Sequence, residues 1–168
     1  MPGDDSKTLE QLLDGMLPWS ETHRIMASFK DPDRFGKMLA IYQERVPWNE
    51  RILMPYGENL FIVECADGAQ VTKCVCGHDF GDYHENWKLS ALIFVRDNAD
   101  KMDEIYPKMM AADPDWMELR EYYCQGCKRQ LEVEALPPGY PIQHEFQPDL
   151  ETFYEQWLGA SLRGESRS

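Results

Sequence analysis

The first third of the chain has apolar residues at the spacing of short amphipathic helices. One stripe repeats at i, i+3, i+4 and i+7 and comprises Leu9, Leu12, Leu13 and Met16. Two more helical patterns follow, one ending near Phe29 and one that runs from Asp31, as the N-cap, to Pro47. Residues 1–56 are therefore predicted to form a helical N-terminal arm.

The middle of the chain has the pattern of β-strands. A continuous apolar run, the turn dipeptide Asp67-Gly68 and a returning run indicate a β-hairpin. The predicted strands cover residues 59–65, 70–74, 87–95, 116–123 and 129–135, and one helix is inserted at residues 100–110. The strand at 87–95 is apolar enough to be buried, and the last strand alternates between apolar and acidic side chains. Residues 57–141 are predicted to form an antiparallel β core.

The C-terminal part returns to a helical pattern. A Pro-Pro-Gly-Tyr-Pro run at 137–141 excludes regular structure, and Asp149 is the expected N-cap of a helix that stops at Gly159. Residues 142–168 are therefore expected to form a C-terminal helix and a frayed tail. The complete pattern predicts an α+β fold in which N-terminal and C-terminal helices flank a small β core.

Charge narrows the range of partners. The 168 residues contain 17 Lys and Arg against 30 Asp and Glu, a formal net charge of −13. Nucleic acids and anionic membranes attract basic surfaces, so neither is expected to bind this chain. The longest apolar run is too short to cross a bilayer and the first residues are acidic, unlike a secretory signal. We expect a cytoplasmic protein.

Four of the five cysteines form two close pairs, which is the strongest chemical signal in the chain. Cys74 and Cys76 are followed by Gly77, and Cys124 and Cys127 enclose Gln125-Gly126. Two such knuckles suit a tetrahedral zinc ion, which prefers soft donors presented by tight turns. The β core is accordingly predicted to be zinc-ribbon-like, with Cys74, Cys76, Cys124 and Cys127 as metal ligands. The first pair has only one intervening residue, so His78 is an alternative ligand.

Two other interpretations of the cysteines stay open. A disulfide framework would need an oxidising compartment, which an acidic cytoplasmic chain does not occupy. A redox pair at Cys124 and Cys127 would suit a helix start, whereas a strand is predicted to follow. Cys65 lies alone in an apolar strand and is expected to be a small buried hydrophobic residue.

The segment from His78 to Glu85 contains two histidines and three carboxylates beside the first knuckle. An open zinc site with three protein ligands and a water could use His84 or Glu85 as a general base. Four thiolates would instead close the site, and nearby histidines or carboxylates would then only orient the ligands. A self-sufficient zinc hydrolase near Cys76, His78, His84 and Glu85 is therefore the second candidate function. A zinc-ribbon adaptor is the third.

Three stretches resemble the small gamma subunit of acetone carboxylases. They are Thr72-Lys-Cys-Val-Cys-Gly-His-Asp-Phe-Gly-Asp-Tyr-His-Glu-Asn-Trp-Lys88, Tyr122-Tyr-Cys-Gln-Gly-Cys127 and the loop Pro137-Pro-Gly-Tyr-Pro141. The resemblance implies a cytoplasmic bacterial assembly with large alpha and beta subunits, two copies of each with two gamma subunits. Such assemblies use ATP and bicarbonate to convert acetone into acetoacetate, AMP and phosphate, with manganese in the catalytic machinery.

The resemblance assigns catalysis to the large subunits, so this chain is expected to have no catalytic residue and to contribute only the knuckles at Cys74, Cys76, Cys124 and Cys127. We also expect the helical ends to contact large subunits, with apolar anchors at Met109, Met110, Trp116, Met117, Tyr154 and Trp157. The alternative is that these side chains fill the core of the chain itself. Eight acids against three bases between Asp97 and Glu121 suit a basic partner surface.

Overall fold

A computed structural model of the chain describes residues 4–163. It contains five helices, α1 to α5, and seven strands, β1 to β7. Their bounds, in chain order, are α1 Ser6–Leu13, α2 Trp19–Ala27, α3 Arg34–Arg45, β1 Arg51–Gly57, β2 Leu60–Glu64, β3 Gln70–Cys74, β4 Asp79–Asp82, β5 Leu92–Arg96, α4 Ala99–Asp103, β6 Glu118–Tyr123, β7 Gln130–Leu136 and α5 Leu150–Thr152. A 3₁₀ turn, Trp87–Ser90, precedes β5, and a π-helical turn, Phe153–Trp157, continues α5. The predicted α+β class is confirmed.

The chain divides into a helical unit and a β unit. The helical unit contains the described residues up to 54 and from 148 onward, and the β unit contains residues 55–147. Among the described residues, no helix has the length and apolar character needed to cross a bilayer.

The helical unit has a small core of its own. Leu9, Ile25 and Ile41, one from each of the first three helices, are buried. The ring of Phe35 packs edge-on against Phe153, with ring centroids 5.0 Å apart, and the hydroxyl of Tyr154 donates a hydrogen bond of 2.7 Å to the carbonyl oxygen of Leu53. The helical patterns at the two ends of the chain therefore pack into one core.

The ends of these helices follow local rules. The Asp5 carboxylate accepts a hydrogen bond of 2.8 Å from the backbone N–H of Thr8, which caps α1. The predicted cap at Asp149 is confirmed, because its carboxylate accepts from the N–H of Thr152 at 3.0 Å. Gly159, the predicted stop of this last helix, has a φ of +63°, a conformation that glycine adopts without strain.

All strands lie in the β unit except for the first residues of β1, which belong to the helical unit. The strands form two antiparallel sheets. The first has the strand order β1-β2-β3-β4, and the second has the order β5-β6-β7. In the hairpin β2–β3, Leu60 lies opposite Cys74, and the turn at Asp67-Gly68 joins the strands as the sequence predicts. The core contains Leu60, Cys74, Phe80, Trp87, Tyr122, Cys124 and Leu131. Residues from both sheets therefore meet around two of the cysteines.

Two predicted elements differ from the structure. The expected buried strand at 87–95 is wrong, because the side chain of Asn86 accepts a hydrogen bond from the N–H of Lys88 and starts a 3₁₀ turn. The strand begins only at Leu92, and its side chains Leu92, Ile93 and Phe94 are about 40 % exposed. The helix expected at 100–110 ends at Asp103, and the residues that follow it are exposed.

Strand β1 was not predicted, since its residues fall at the end of the expected helical arm. The alternation in β7 is present, and Leu131 is buried as its apolar side chain favours, but further along the strand the burial of the two faces is reversed. Glu134 is buried, whereas Val133 on the opposite face is exposed. The reason is an ion cluster on the acidic face, described below.

Candidate metal centre

The first cysteine knuckle follows the end of β3. The N–H of Gly77 donates to the carbonyl oxygen of Cys74 at 2.8 Å, and the N–H of Cys74 donates to that of His78 at 2.9 Å. Gly77 has a φ of +94°, so the turn needs a residue without a side chain at this position. The turn places the side chains of Cys74 and Cys76 next to each other.

The second knuckle repeats this arrangement after β6. The N–H of Lys128 donates to the carbonyl oxygen of Cys124 at 3.0 Å, and the N–H of Cys124 donates to that of Arg129 at 2.9 Å. The N–H of Gly126 also points at the Cys124 sulfur, 3.3 Å away. Backbone donors of this kind stabilise a thiolate.

Gly126 allows the two knuckles to approach closely. A Cβ atom at this position would lie 3.0 Å from the Cβ of His78 and 3.4 Å from the Sγ of Cys76.

Asn59 accepts hydrogen bonds from residues next to both knuckles. Its carbonyl oxygen accepts from the N–H of Val75 at 3.0 Å, and its side-chain oxygen accepts from Arg129 at 3.0 Å. Asn59 stands in the turn between β1 and β2, and nothing in its local sequence pattern points to this role.

The four predicted cysteine side chains meet in one cluster. All four sulfur atoms lie within 4.8 Å of one another. The Cys74 and Cys127 sulfurs are 3.8 Å apart, and the Cys76 and Cys124 sulfurs are 3.7 Å apart. None of the five cysteines, all of them within residues 4–163, forms a disulfide, which excludes the disulfide interpretation for this structure. At a zinc–sulfur distance of about 2.3 Å, tetrahedral geometry separates two sulfurs by about 3.8 Å. The cluster could therefore hold a metal ion, and its geometry is compatible with zinc.

The thiols differ in their tendency to ionise. Cys74 and Cys124 are buried, and burial raises the pKa of both thiols. At Cys127, burial also opposes ionisation, but hydrogen bonds from the Arg129 backbone and the neighbouring thiols lower the pKa to about 7. Each knuckle thus supplies one buried sulfur and one exposed sulfur, and the buried thiolates need a nearby cation.

The histidines and Glu85 lie outside this cluster. Among the described residues, the group of possible ligands around the cysteines includes neither His78, His84 nor Glu85. The ring of His78 packs edge-on against Phe80, with centroids 4.9 Å apart. The exposed ring of His84 is hydrogen-bonded instead to Asp82, with 2.7 Å between Nδ1 and Oδ1. The geometry does not favour an open site with a bound water.

Cys65 is half-buried, not buried as expected. Its N–H and carbonyl oxygen close the hairpin turn, with hydrogen bonds of 2.8 Å to Ala69 and 2.9 Å from Gly68. It stands one residue beyond β2, outside the apolar part of the strand.

A second cluster of charged groups surrounds Lys88 in the same core. Only 3 % of the Lys88 side chain is exposed, and its Nζ donates to Glu134. The same ammonium group donates to Glu132 at 2.8 Å and to Glu145 at 3.2 Å. Burial opposes the charged form of Lys88, but these three carboxylates outweigh it and raise its pKa.

Tyr122 joins the Lys88 cluster to the aromatic core. Its hydroxyl donates a hydrogen bond of 2.6 Å to Glu134, and its ring packs edge-on against Trp87 with centroids 5.9 Å apart. Burial and this hydrogen bond raise the pKa of Tyr122 to about 12. Burial alone would raise the pKa of Glu134, but hydrogen bonds from Lys88 and Tyr122 lower it.

Comparison with known proteins identifies the family. The family model described as acetone carboxylase gamma subunit matches residues 46–158, which include both knuckles and Lys88. The chain belongs to the acetone carboxylase gamma subunit family. The resemblance inferred from residues 72–88 and 122–127 is confirmed.

Two curated proteins show how this gamma-subunit chain is related to others. It is 47 % identical to the acetone carboxylase gamma subunit of Xanthobacter autotrophicus over 149 residues, which cover 88 % of this chain and 89 % of that protein. It is 32 % identical to the acetophenone carboxylase beta subunit of Aromatoleum aromaticum over 83 residues, 46 % of this chain and 61 % of that protein. Subunits of two carboxylases are thus similar to it.

The Lys88 cluster is the part of this gamma-subunit chain that sequence reasoning missed. Lys88 ends the stretch that carries the family resemblance, and Glu132 and Glu134 share one face of an alternating strand. A lysine at the end of this motif and a strand with two acids on one face are the signal that the sequence offers. Pairing them requires the fold, since 44 residues separate Lys88 from Glu132.

Proposed function

We propose that this chain is the noncatalytic, zinc-binding gamma subunit of an ATP-dependent acetone carboxylase. In this assembly, two gamma subunits join two copies each of a large alpha and a large beta subunit in the cytoplasm. The complex converts acetone, bicarbonate and ATP into acetoacetate, AMP and phosphate. The observation that carries the proposal is the 47 % identity to an acetone carboxylase gamma subunit along 88 % of the chain.

The role proposed for this chain is structural. Cys74, Cys76, Cys124 and Cys127 hold the zinc ion, with sulfur separations that match tetrahedral coordination. Four thiolates leave no position for a substrate or a water, so the metal stabilises the β unit and performs no chemistry. ATP and manganese bind to the large subunits, which carry out the carboxylation.

The test begins with the complex purified from source cells through a tag on this chain. Native mass spectrometry should show two copies of each of three chains, and elemental analysis should show one zinc per copy of this chain. Recovery of this chain alone, in cells that carry out acetone-dependent carboxylation, would contradict the proposal.

The noncatalytic role has a separate test within the assembled complex. Replacing Glu85 by Gln removes the carboxylate that a zinc hydrolase would use as its base, and because this side chain is exposed the replacement should not disturb the fold. Carboxylation by the variant complex should match that of the parent. A large loss of turnover with the complex and its zinc intact would show that this chain takes part in catalysis.

A further inference from the structure

Strand β5 has a free edge with apolar side chains on both faces. It pairs with β6 on one side, and within residues 4–163 no strand pairs with its other edge. Leu92, Ile93 and Phe94 point to alternate faces, and all three are exposed. Exposed apolar edges promote association between chains, so folded proteins usually cover or charge them. No other strand of the described chain covers this edge. Only its C-terminal end carries charge, where the Arg96 and Lys101 side chains lie 4.9 and 5.5 Å from the Phe94 ring centroid and Lys101 donates to the Val95 carbonyl oxygen at 2.9 Å.

The loop between α4 and β6 adds further exposed apolar side chains. The end of β5 lies opposite the start of β6, so this loop leaves and returns to the same end of the second sheet. Met109, Met110 and Trp116 are exposed along it, and Met109 is fully exposed with a φ of +65°. A residue with a side chain is strained in this conformation. We call β5 and this loop the β5–loop surface.

The charges around the β5–loop surface indicate what kind of partner would bind there. The basic groups next to β5 are paired within the chain, Arg96 with Glu104 at 2.7 Å and Lys101 with Asp97 at 2.7 Å. Four exposed aspartates on α4 and the loop form no salt bridge with a base in the described residues, namely Asp100, Asp103, Asp113 and Asp115. A second copy of this chain would bring the same carboxylates against them, which is unfavourable. The β5–loop surface therefore suits a partner whose contact surface has an apolar centre and lysines or arginines at its rim.

The family match separates this surface from a second exposed apolar region. Helix α2 and the residues after it expose Trp19, Met26 and Phe29. These residues lie outside the matched residues 46–158, whereas the whole β5–loop surface lies within them. A contact that every gamma subunit needs should use the part of the chain that the family has in common.

We infer that the β5–loop surface is where a large subunit of the carboxylase docks, covering the apolar edge and meeting the aspartates with basic side chains. The inference rests on the proposed function, because it takes its partner from the carboxylase assembly. It moves the expected contact to the β unit from the helical ends, where Leu9, Ile25 and Leu150 are buried and Trp157 stays exposed.

A photo-cross-linking amino acid at Met110 tests the inference in the assembled complex. Illumination of the complex should join Met110 to a large subunit, identified by mass spectrometry, and the same group at Phe29 should give little or none of this product. Both positions are exposed, so neither replacement disturbs the core. A cross-link between two copies of this chain, or equal products from both positions, would overturn the inference.

Substitution gives an independent measurement of the same contact. Met110→Asp and the pair Asp113→Lys with Asp115→Lys should each reduce recovery of the large subunits by about tenfold or more. Phe29→Asp, the matched control, should leave recovery unchanged, and all variants should keep the parent thermal midpoint and zinc content.

The outcomes separate the two proposals. If the parent chain recovers no large carboxylase subunit, the proposed function fails and the inference fails with it. If the parent recovers them and the Met110 and Asp113 variants do so equally well, the function stands and the β5–loop surface is not the docking site.

Discussion

The cysteine cluster and the Lys88 cluster both bring together the donor atoms that surround cations, but they obtain their positive charge from different sources. Around Lys88, three carboxylates meet an ammonium group that belongs to the chain. Between the knuckles, four thiols lie at the separations of a tetrahedral metal site. The first cluster is complete once the chain folds, whereas the second would need an ion from solution to balance its thiolates.

Of these two clusters in the β unit, only the cysteine cluster would therefore require a metal ion. Cys74 and Cys124 share the buried core with Trp87 and Tyr122, so the ion would stabilise residues from both sheets. Lys88 neutralises Glu134 in that core without any ion. The remaining negative charge costs little, because Glu132 and Glu145 are partly exposed to water.

The largest expected effect comes from removing a buried sulfur. Cys124→Ala should lose zinc binding and unfold the β unit, since structural zinc contributes about 10–16 kcal/mol of apparent binding free energy. Zinc per chain and thermal unfolding followed by circular dichroism measure both effects. Cys65→Ala is the matched control, because Cys65 lies outside the cluster, and it should keep one zinc per chain. Full zinc binding by Cys124→Ala would show that this sulfur is not a ligand.

Removing the internal cation should cost less but still destabilise the fold. Lys88→Met leaves Glu134 buried without its cation, which typically reduces the free energy of unfolding by about 3–5 kcal/mol. Chemical denaturation measures the loss, and Lys108→Met, at an exposed lysine, should change stability by less than about 0.5 kcal/mol. Adding Glu134→Gln to Lys88→Met should recover part of the loss. If Lys88→Met is as stable as the parent, the cluster does not support the fold.

The two clusters also differ in how far the sequence predicts them. The spacing of Cys74 with Cys76 and of Cys124 with Cys127 predicts two tight turns with convergent thiols, because a knuckle is a local structure. The cluster around Lys88 depends on a 3₁₀ turn that Asn86 starts, and on carboxylates 44 to 57 residues away. The apolar pattern assigns residues 87–95 to a buried strand, so it predicts neither the 3₁₀ turn nor the contacts of Lys88 with these carboxylates.

The same contrast holds for the rest of the fold. The hairpin turn at Asp67-Gly68 and the cap at Asp149 were predicted because each is determined by a few adjacent residues. The burial of Glu134 in place of Val133 was not predictable from alternation, since a long-range ion pair decides which face of β7 is covered. Local chemistry could be predicted from the sequence. Pairing between distant segments could be predicted only for the two knuckles, because one metal ion would need the thiols of both.

Acid should weaken the Lys88 cluster through Glu134. Its pKa is lowered in the fold, so the stability it contributes is fully present above the ordinary value of 4.5 and is lost as the pH falls through the lower folded value. The stability difference between the parent and Glu134→Gln should therefore shrink between about pH 6 and pH 3. Both proteins keep the same cysteines, so acid release of bound metal affects them equally. A difference independent of pH would contradict the ion pair.

The smallest effect is expected at the exposed edge of the Lys88 cluster. The Glu145 side chain is 56 % exposed, and its contact with Lys88 at 3.2 Å is the longest of the three. An exposed ion pair contributes about 0–1 kcal/mol, so Glu145→Gln should scarcely change the denaturation midpoint, and high salt should remove the remaining difference. A loss as large as that of Lys88→Met would mean that all three carboxylates share the charge of Lys88 equally. The small loss expected here would instead assign the stabilising pair to Lys88 and Glu134 in the core, where no water competes.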